Sequence, residues 1–223
     1  MPERLTKCRL ILLCIALSAA SLPREARAQL HLGIEGGWGS GCKDAVEGFP
    51  ASTFQGAGVF GGSLGYRFGF GLDLELAFLQ TSPKLVENGQ EFGTVTLAPI
   101  LLRVGYWGVP ADTGFGGHLA VGFGGVASSF KKGPYILALE SQYGATFDSW
   151  AKGDSFAFDL VGGVEYFAAR WLSVGADARL LLARRGTQWQ LTGPGGSAPV
   201  PDVNTYVLLS GQITAVLRFW LRL

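Results

Sequence analysis

Long hydrophobic runs are missing from this 223-residue chain once its first 28 residues are set aside, although 48% of all residues are hydrophobic. No later run reaches the roughly eighteen apolar residues that a transmembrane helix needs, which excludes an ordinary helical span. Charge is scarce at 16%, and helix breakers are abundant, with 34 glycines and 10 prolines. Such a composition disfavours helices and favours all-β structure.

The small number of cysteines and the lack of excess basic residues limit the functions that the chain can have. Cys8 and Cys14 belong to the N-terminal segment, so Cys42 is left alone and cannot form an internal disulfide or a cysteine-based metal site. We predict a surface thiol, with an intermolecular disulfide as the alternative. From Gln29 onward the chain has thirteen basic residues and fifteen acidic ones. Because no basic surplus remains, nucleic acid is not an expected partner.

The first residues follow the order of a secretory signal peptide. Basic residues precede an apolar run over residues 10–20, and the small residues Ala26 and Ala28 come just before Gln29. That order, with its small-x-small cleavage site, is typical of exported proteins, and the apolar run is too short to cross a membrane as a helix. We therefore predict a cleaved signal peptide over residues 1–28 and one domain over 29–223. An uncleaved anchor is the alternative.

Apolar and polar residues alternate with a period of two along much of the chain, which predicts β-strands. The eight predicted strands span about residues 30–39, 56–68, 72–81, 94–106, 115–127, 155–167, 172–183 and 205–223. Pro99 inside the fourth suggests a bulge. A strand of about ten residues, tilted near 45°, covers roughly 23 Å of membrane thickness, so these strands are long enough to span a bilayer.

The links between predicted strands alternate in length. Short links join the second strand to the third, the fourth to the fifth and the sixth to the seventh, whereas residues 40–55, 82–93, 128–154 and 184–204 form long links. Outer-membrane barrels have short periplasmic turns and longer extracellular loops, and a soluble sandwich has no reason to sort its links in this way.

Two of the long links carry features of their own. Tyr135, Leu137 and Leu139 favour a protruding hairpin within residues 128–154, whose exposed edge can pair with a partner; a mobile or partly helical surface loop is the alternative. Residues 192–202 are rich in glycine and proline and are predicted to be unordered.

Charged residues avoid the apolar face of the predicted strands. Of the 28 from Gln29 onward, seventeen fall in links and eleven lie on strands opposite the large apolar side chains. The eleven are Glu35, Arg67, Asp73, Glu75, Arg103, Asp159, Glu165, Asp177, Arg179, Arg218 and Arg222. A charge facing lipid near the midplane costs about 2 to 4 kcal/mol, enough to enforce this sorting. A soluble β domain would sort its charges similarly, so the choice between the two depends on other features.

Aromatic residues supply one such feature, because they gather where predicted strands meet the short links. They are Tyr66, Phe68, Phe70, Tyr106, Trp107, Tyr166, Phe167, Trp171, Phe219 and Trp220. Their placement is typical of the interfacial girdle of a membrane barrel. With the signal segment and the sorted links, it indicates that the apolar face points to lipid and that the eleven charges line the lumen.

The chain resembles the small eight-stranded outer-membrane barrels of Gram-negative bacteria, of the OmpA, OmpX and OmpW types. The resemblance is carried by "LHLGIEGGWG", "GGSLGYRFGFGLDLELAF", "GGVEY" and the alternating last strand "ITAVLRFWLRL". It implies an all-β, eight-stranded antiparallel up-and-down transmembrane β-barrel in the outer membrane, with short periplasmic turns and longer extracellular loops.

The resemblance also implies partners. A barrel of this kind lies among outer-membrane lipid and lipopolysaccharide, and the barrel-assembly machinery recognises its last strand, here Ile213 to Leu223. That strand commonly ends in phenylalanine in the family, and this chain departs from the pattern by ending in Leu223. The extracellular loops are candidate contacts for a surface partner.

The predicted lumen contains six acids and five arginines. An eight-stranded barrel is just wide enough for side chains to fill it, so we expect these charges to pair and largely close the lumen. The predicted role is envelope structure or surface interaction, and a narrow porin-like passage for small solutes is the alternative.

Enzymatic chemistry has little support in the sequence. Some small barrels modify lipid A with a histidine, a serine and an acid, but neither His31 nor His118 stands in a His-x-Ser arrangement. Both are predicted to be structural residues of the lumen. We predict no catalytic residue, no cofactor and no metal site, since two histidines and one cysteine in separate segments make weak ligand sets. The glycine-rich stretches lead into strands, so they form no phosphate-binding loop.

Overall fold

A computed structural model describes residues 28–47, 51–108, 113–199 and 204–222. Within these ranges the chain forms twelve strands and one helix. In chain order they are β1 (Gln29–Gly39), β2 (Cys42–Lys43), β3 (Ser52–Phe54), β4 (Ala57–Arg67), β5 (Leu72–Thr81), β6 (Lys84–Glu87), β7 (Gln90–Gly108), β8 (Gly114–Lys132), α1 (Pro134–Tyr143), β9 (Thr146–Ala169), β10 (Leu172–Gly193), β11 (Gly196–Pro199) and β12 (Asn204–Arg222). Apart from Ala28, the predicted signal peptide lies outside the described residues.

Eight of these strands close into an antiparallel ring. The ring runs β1, β4, β5, β7, β8, β9, β10 and β12, and β12 pairs back onto β1 through partners such as Leu30 with Leu221 and Trp38 with Ile213. Closure removes the unpaired edges that an open sheet would leave. The predicted eight-stranded up-and-down barrel, closed by its last strand, is confirmed.

Side chains of the ring alternate between its interior and its outer surface. On β5, Asp73 and Glu75 are buried, whereas Leu74, Leu76 and Phe78 are exposed. Every strand of the ring exposes large apolar side chains in this way, among them Ile34, Leu64, Leu102, Phe123, Val164, Leu180 and Phe219. A continuous apolar belt of this kind is the lipid-facing surface of a membrane barrel.

The ring extends well beyond the predicted strands on the side of the long links. β9 has 24 residues and β10 has 22. At about 3.3 Å per residue, β9 is about 80 Å long, about twice the roughly 35 Å that a strand tilted near 45° needs to cross a band of about 25 Å. The two strands pair with each other from Leu172 and Ala169 up to Thr192 and Thr146. Much of the links over residues 128–154 and 184–204 is therefore β-structure that projects outside the membrane.

The link between β8 and β9 ends in a helix. Tyr135, Leu137 and Leu139 lie in α1, so a hairpin at these residues is wrong and the partly helical alternative is confirmed. Proline at the start of α1 has the backbone angle a helix needs, and Gly144 ends it in a left-handed conformation with φ of 60°. In the described part of the chain, no helix is long and apolar enough to span a membrane.

Glu140 ties α1 to the two strands beside it. Lys132 Nζ donates to Glu140 Oε1 at 2.8 Å, and the Phe147 N–H donates to the same oxygen at 2.5 Å. The hydrogen bond from Lys132, followed by that from Phe147, lowers the pKa of Glu140 below its usual value. The extracellular tip is thus held by charge-assisted hydrogen bonds.

Two further predictions are corrected by the strand pairing. Residues 196–199 form β11, which pairs with the end of β10, so the prediction of an unordered link is wrong for them; residues 200–203 lie outside the described part. Pro99 causes no bulge, because the β7–β8 register runs through it unshifted, opposite Val126.

Cys42, which was predicted to be a surface thiol, is half-buried in the structure. Burial raises the pKa of its thiol, which donates to Val207 O at 3.4 Å.

The lipid-facing belt can be tested at Leu76, which lies between Leu64 and Leu102 of the neighbouring strands. Changing Leu76→Arg is expected to lower the free energy of unfolding by about 2 to 4 kcal/mol, because the guanidinium faces hydrocarbon. Urea unfolding in lipid vesicles measures this loss. Leu137→Arg on α1 is the matched control, since Leu137 is equally exposed but outside the belt. Equal effects of the two changes would contradict a lipid-facing β5.

Candidate functional site

The interior of the ring is filled in three layers. Nearest the long links lies an apolar layer of buried side chains, which includes Leu97 and Leu101 of β7 and Leu208 of β12. Phe54 of β3 and Leu85 of β6 belong to the same cluster, so the small outer strands close over this end. A polar layer follows, and buried aromatics fill the end near the short turns.

The polar layer contains the residues that the sequence assigned to the lumen. Ten of them are buried in the interior, each 9% exposed or less. They are Glu35, Arg67, Asp73, Glu75, Arg103, Asp159, Glu165, Asp177, Arg179 and Arg218. Arg222 ends β12, and its side chain lies outside the described part. Because a lone buried charge costs several kcal/mol, the contacts among these residues determine whether the layer is stable.

Arg103 is the hub of the polar layer. Its Nη1 donates to Glu75 Oε1 at 2.6 Å, while Nε and Nη2 donate to Asp159 Oδ2 at 3.0 and 2.7 Å. Gly122 stands between Arg103 and Asp159 in the strand pairing. A Cβ at Gly122 would collide with Asp159 Oδ1 and lie 2.8 Å from Arg103 Cγ. Because Gly122 of β8 has no side chain, Arg103 of β7 and Asp159 of β9 can contact each other across it.

Arg179 extends this network to the closing strands. Its Nη2 donates to Glu35 Oε2 at 2.6 Å, and its Nε lies 3.3 Å from Asp159 Oδ2. Thr214 Oγ1 of β12 also donates to Glu35 Oε2, at 3.1 Å. Asp159 is thus shared by two arginines, and Glu35 links β1 with β10 and β12.

Arg218 carries the network toward the aromatic end. Its Nη1 pairs with Glu165, its Nη2 donates to Asp177 Oδ2 at 3.3 Å, and its guanidinium lies 4.7 Å from the Trp107 ring centroid. Arg67 lies nearer the short turns and donates to Gln29 Oε1 at 2.7 Å. Arginine suits these positions because one guanidinium bonds several oxygens at once.

The two histidines predicted to lie in the lumen contact acids of this layer, and these contacts were not predicted from the sequence. His31 Nε2 donates to Asp73 Oδ1 at 2.9 Å, and its Nδ1 is 4.0 Å from Glu75 Oε2. His118 Nε2 is 3.3 Å from Asp177 Oδ1. His31, Asp73 and Glu75 form one set of three candidate metal ligands, and His118, Glu165 and Asp177 form another; within each set the ligand atoms lie within 4.8 Å of one another.

Both sets are built in the same way, and this was the signal available in the sequence. His31 lies across Gly65 from Glu75, and His118 lies across Gly163 from Asp177. The strand between the histidine and the acid has a glycine at this position in both sets. Because glycine has no side chain, the two flanking side chains can approach each other above it. Counting the interior register across three neighbouring strands would have brought these residues together.

Three aromatics assigned to the interfacial girdle lie inside the barrel instead. Trp107, Phe167 and Trp220 are each 2% exposed, so their placement in the girdle is wrong. The reason is the strand period: in the pairs Tyr106–Trp107, Tyr166–Phe167 and Phe219–Trp220, neighbours must point to opposite faces. The outward members are exposed, as are Phe70 and Trp171, and these form the girdle.

The inward aromatics support the polar layer from the side of the short turns. Trp220 Nε1 donates to Ser173 Oγ at 2.8 Å, and that hydroxyl donates to Glu165 Oε2 at 2.6 Å. Trp107 stacks on His118 with ring centroids 4.0 Å apart. A cavity of about 10 Å³ remains where the polar layer meets Trp107, and its lining includes Glu75, His118 and Arg218. That is room for about one water molecule.

Comparison with known proteins agrees with this architecture. The profile of the "Outer membrane protein beta-barrel domain" family matches residues 10–205. The crystal structure of OprG from Pseudomonas aeruginosa superposes with a TM-score of 0.62 at 11% identity, covering 89% of this chain and 97% of OprG. Neisserial surface protein A superposes with a TM-score of 0.53 at 12% identity, covering 85% and 96%. At such identities the likeness shows the fold alone. No curated protein sequence matches the chain.

The hub role of Arg103 can be tested against a surface pair. Changing Arg103→Gln takes from Glu75 its hydrogen-bonded guanidinium and leaves Asp159 with Arg179 alone, which is expected to lower the free energy of unfolding by about 3 to 5 kcal/mol. Urea unfolding in detergent micelles measures it. The control is Arg184→Gln, because Arg184 pairs with Glu47 at 3.0 Å with both side chains about half exposed. That change should cost about 0 to 1 kcal/mol. A loss at Arg103 no larger than at Arg184 would contradict a buried network.

Proposed function

Because the chain belongs to the outer membrane protein β-barrel domain family, we propose that it is a non-enzymatic barrel with a charged, largely closed lumen. Its role is envelope structure or interaction at the cell surface. The observation that carries this proposal is the filling of the interior by three successive layers, with a cavity of about 10 Å³ where the polar layer meets Trp107.

The apolar layer supports closure at the extracellular end. Val95, Leu97, Leu101, Leu181 and Leu208 are each at most 2% exposed although they face the lumen. A small polar solute that entered here would lose its water against hydrocarbon without gaining hydrogen bonds, which costs several kcal/mol. Tight apolar packing of this kind suits a structural plug better than a solute path.

The polar layer supports closure in the middle. Arg103 and Arg179 each contact two acids, and Asp159 Oδ2 accepts from Arg103 and lies 3.3 Å from Arg179 Nε. A passing solute would have to break these buried contacts, and removing one partner from a buried pair costs about 3 to 5 kcal/mol. The charges therefore act as cross-links between strands.

The non-enzymatic part of the proposal rests on the contacts of the histidines and of Ser173. His31 and His118 face carboxylates and aromatic rings, and the Ser173 hydroxyl lies between Glu165 and Trp220. A nucleophilic serine needs a histidine as its base, within hydrogen-bond reach. Here the Ser173 hydroxyl bonds Glu165 and Trp220, and each histidine lies beside a carboxylate, Asp73 for His31 and Asp177 for His118.

The surface part of the proposal rests on the extracellular strands. β9 and β10 rise together above the membrane, and α1 exposes Leu137 and Tyr143 beside them. Exposed apolar side chains outside the lipid belt suit contact with a surface protein partner. Lipopolysaccharide and outer-membrane lipid surround the belt itself, and the strand from Ile213 to Leu223 is offered to the barrel-assembly machinery.

Conductance measurements test the closed lumen. Protein refolded into planar bilayers should show no steady conductance above leak, because the three layers occlude the path. Arg103→Ala and Arg218→Ala variants, checked for folding by heat-modifiable migration on gels, test whether a single charged side chain blocks the path through the lumen. Steady conductance of the wild type would overturn the proposal and favour the narrow porin-like passage.

A further inference from the structure

We propose that His118, Glu165 and Asp177 form a binding site for one divalent transition-metal ion of the Zn²⁺ and Co²⁺ kind inside the barrel. The three residues come from β8, β9 and β10, and their candidate ligand atoms lie within 4.8 Å of one another. This proposal does not depend on whether the lumen conducts.

The backbone is arranged so that the three ligands converge. His118 and Asp177 both stand opposite Gly163, and Glu165 follows two residues later on the same inward face of β9. A Cβ at Gly163 would collide with Asp177 Oδ1 and lie 2.5 Å from His118 Cε1. The space over Gly163 is thus occupied by the ligands. Ligands about 2.0 to 2.2 Å from a tetrahedral Zn²⁺ lie about 3.5 Å apart, and His118 Nε2 is 3.3 Å from Asp177 Oδ1.

Buried polar atoms at this point lack hydrogen bonds. The His118 side chain is 3% exposed, and among the described residues neither of its ring nitrogens has a hydrogen-bond partner. The same is true of Asp177 Oδ1, whereas Glu165 Oε1 is paired with Arg218 Nη1. Leaving such atoms unsatisfied costs about 1 to 3 kcal/mol each. One imidazole nitrogen and two carboxylate oxygens are a donor set that Zn²⁺ and related ions accept, and stacking on Trp107 fixes the ring.

The charge of the polar layer also favours a divalent cation. Among the ten described members there are six carboxylates and four guanidinium groups, so negative charge is in excess among them. Uncompensated buried charge is costly, and a divalent ion would reduce this excess. Protonation of the histidines would reduce it too, so the experiment must separate these two cases.

Arg218 is the competitor for this site. It pairs with Glu165 and donates to Asp177 Oδ2, and its Nε lies 3.9 Å from Glu75 Oε2. Glu75 is therefore the carboxylate toward which the guanidinium would turn when a metal takes Glu165, and the cavity of about 10 Å³ lies between Arg218 and the neighbouring residues on that side. Metal affinity should therefore increase when this cation is removed.

The His31 set is the internal control. His31 Nε2 is already hydrogen-bonded to Asp73 at 2.9 Å, so its best-placed nitrogen has a partner. His31→Gln removes an equivalent imidazole from the same layer without touching the His118 set. It should retain wild-type metal binding.

Titration with Co²⁺ alone tests the site, using full-length protein refolded in detergent micelles and checked by heat-modifiable migration. The wild type should bind one equivalent, seen as visible absorption of Co²⁺ with nitrogen and oxygen ligands and as quenching of tryptophan fluorescence, and Zn²⁺ should displace it. His118→Gln and Asp177→Asn should each weaken binding by at least about 100-fold, the upper end of the effect of losing even a supporting contact. Arg218→Gln should tighten it.

Three results would overturn the proposal. The first is a folded wild type that gives no Co²⁺ spectrum, which would leave protonated histidines as the counter-charge. The second is unchanged binding in His118→Gln or Asp177→Asn, and the third is a loss in His31→Gln as large as in His118→Gln. If His118→Gln does not fold, the nearly isosteric Asp177→Asn and the wild-type titration decide the question.

Discussion

The cost of placing charge in hydrocarbon is the constraint on which the rest of this structure depends. It amounts to about 2 to 4 kcal/mol for a basic residue at the midplane, so strands that cross the membrane must turn their charges inward. An eight-stranded ring has an interior only as wide as its side chains, so charges sent inward necessarily meet. Arg103 between Glu75 and Asp159 is the result of both requirements.

Glycine makes this meeting possible. Gly65, Gly122 and Gly163 each stand between two charged or titratable side chains of the flanking strands. A side chain at any of them would collide with the histidine or acid beside it. The high glycine content therefore has two effects. It disfavours helices, and it leaves space in the polar layer for long side chains to reach from one strand to another.

The fold was predictable from the sequence wherever lipid imposes a pattern. The alternation of Leu74 and Leu76 with Glu75 assigns faces without knowledge of any partner strand, and sorted link lengths supply the topology. Outside the membrane the alternation is weaker, so residues 146–154 of β9 were not among the predicted strands, and a helix at Leu137 was only one of two alternatives. Trp107 was misassigned although the same period already required it to oppose Tyr106.

The contacts of the interior needed more than the pattern of single strands. His118 and Asp177 are far apart in sequence and meet only because β8 and β10 both pair with β9 so that Gly163 lies opposite each of them. A one-residue slip of either strand would turn its side chains to the other face. The sequence thus indicates which residues are inside, while the register decides which of them touch. Because the inward charges of the described layer do not cancel, the same lipid constraint that closes the barrel also makes its interior a place where a cation would be stabilised.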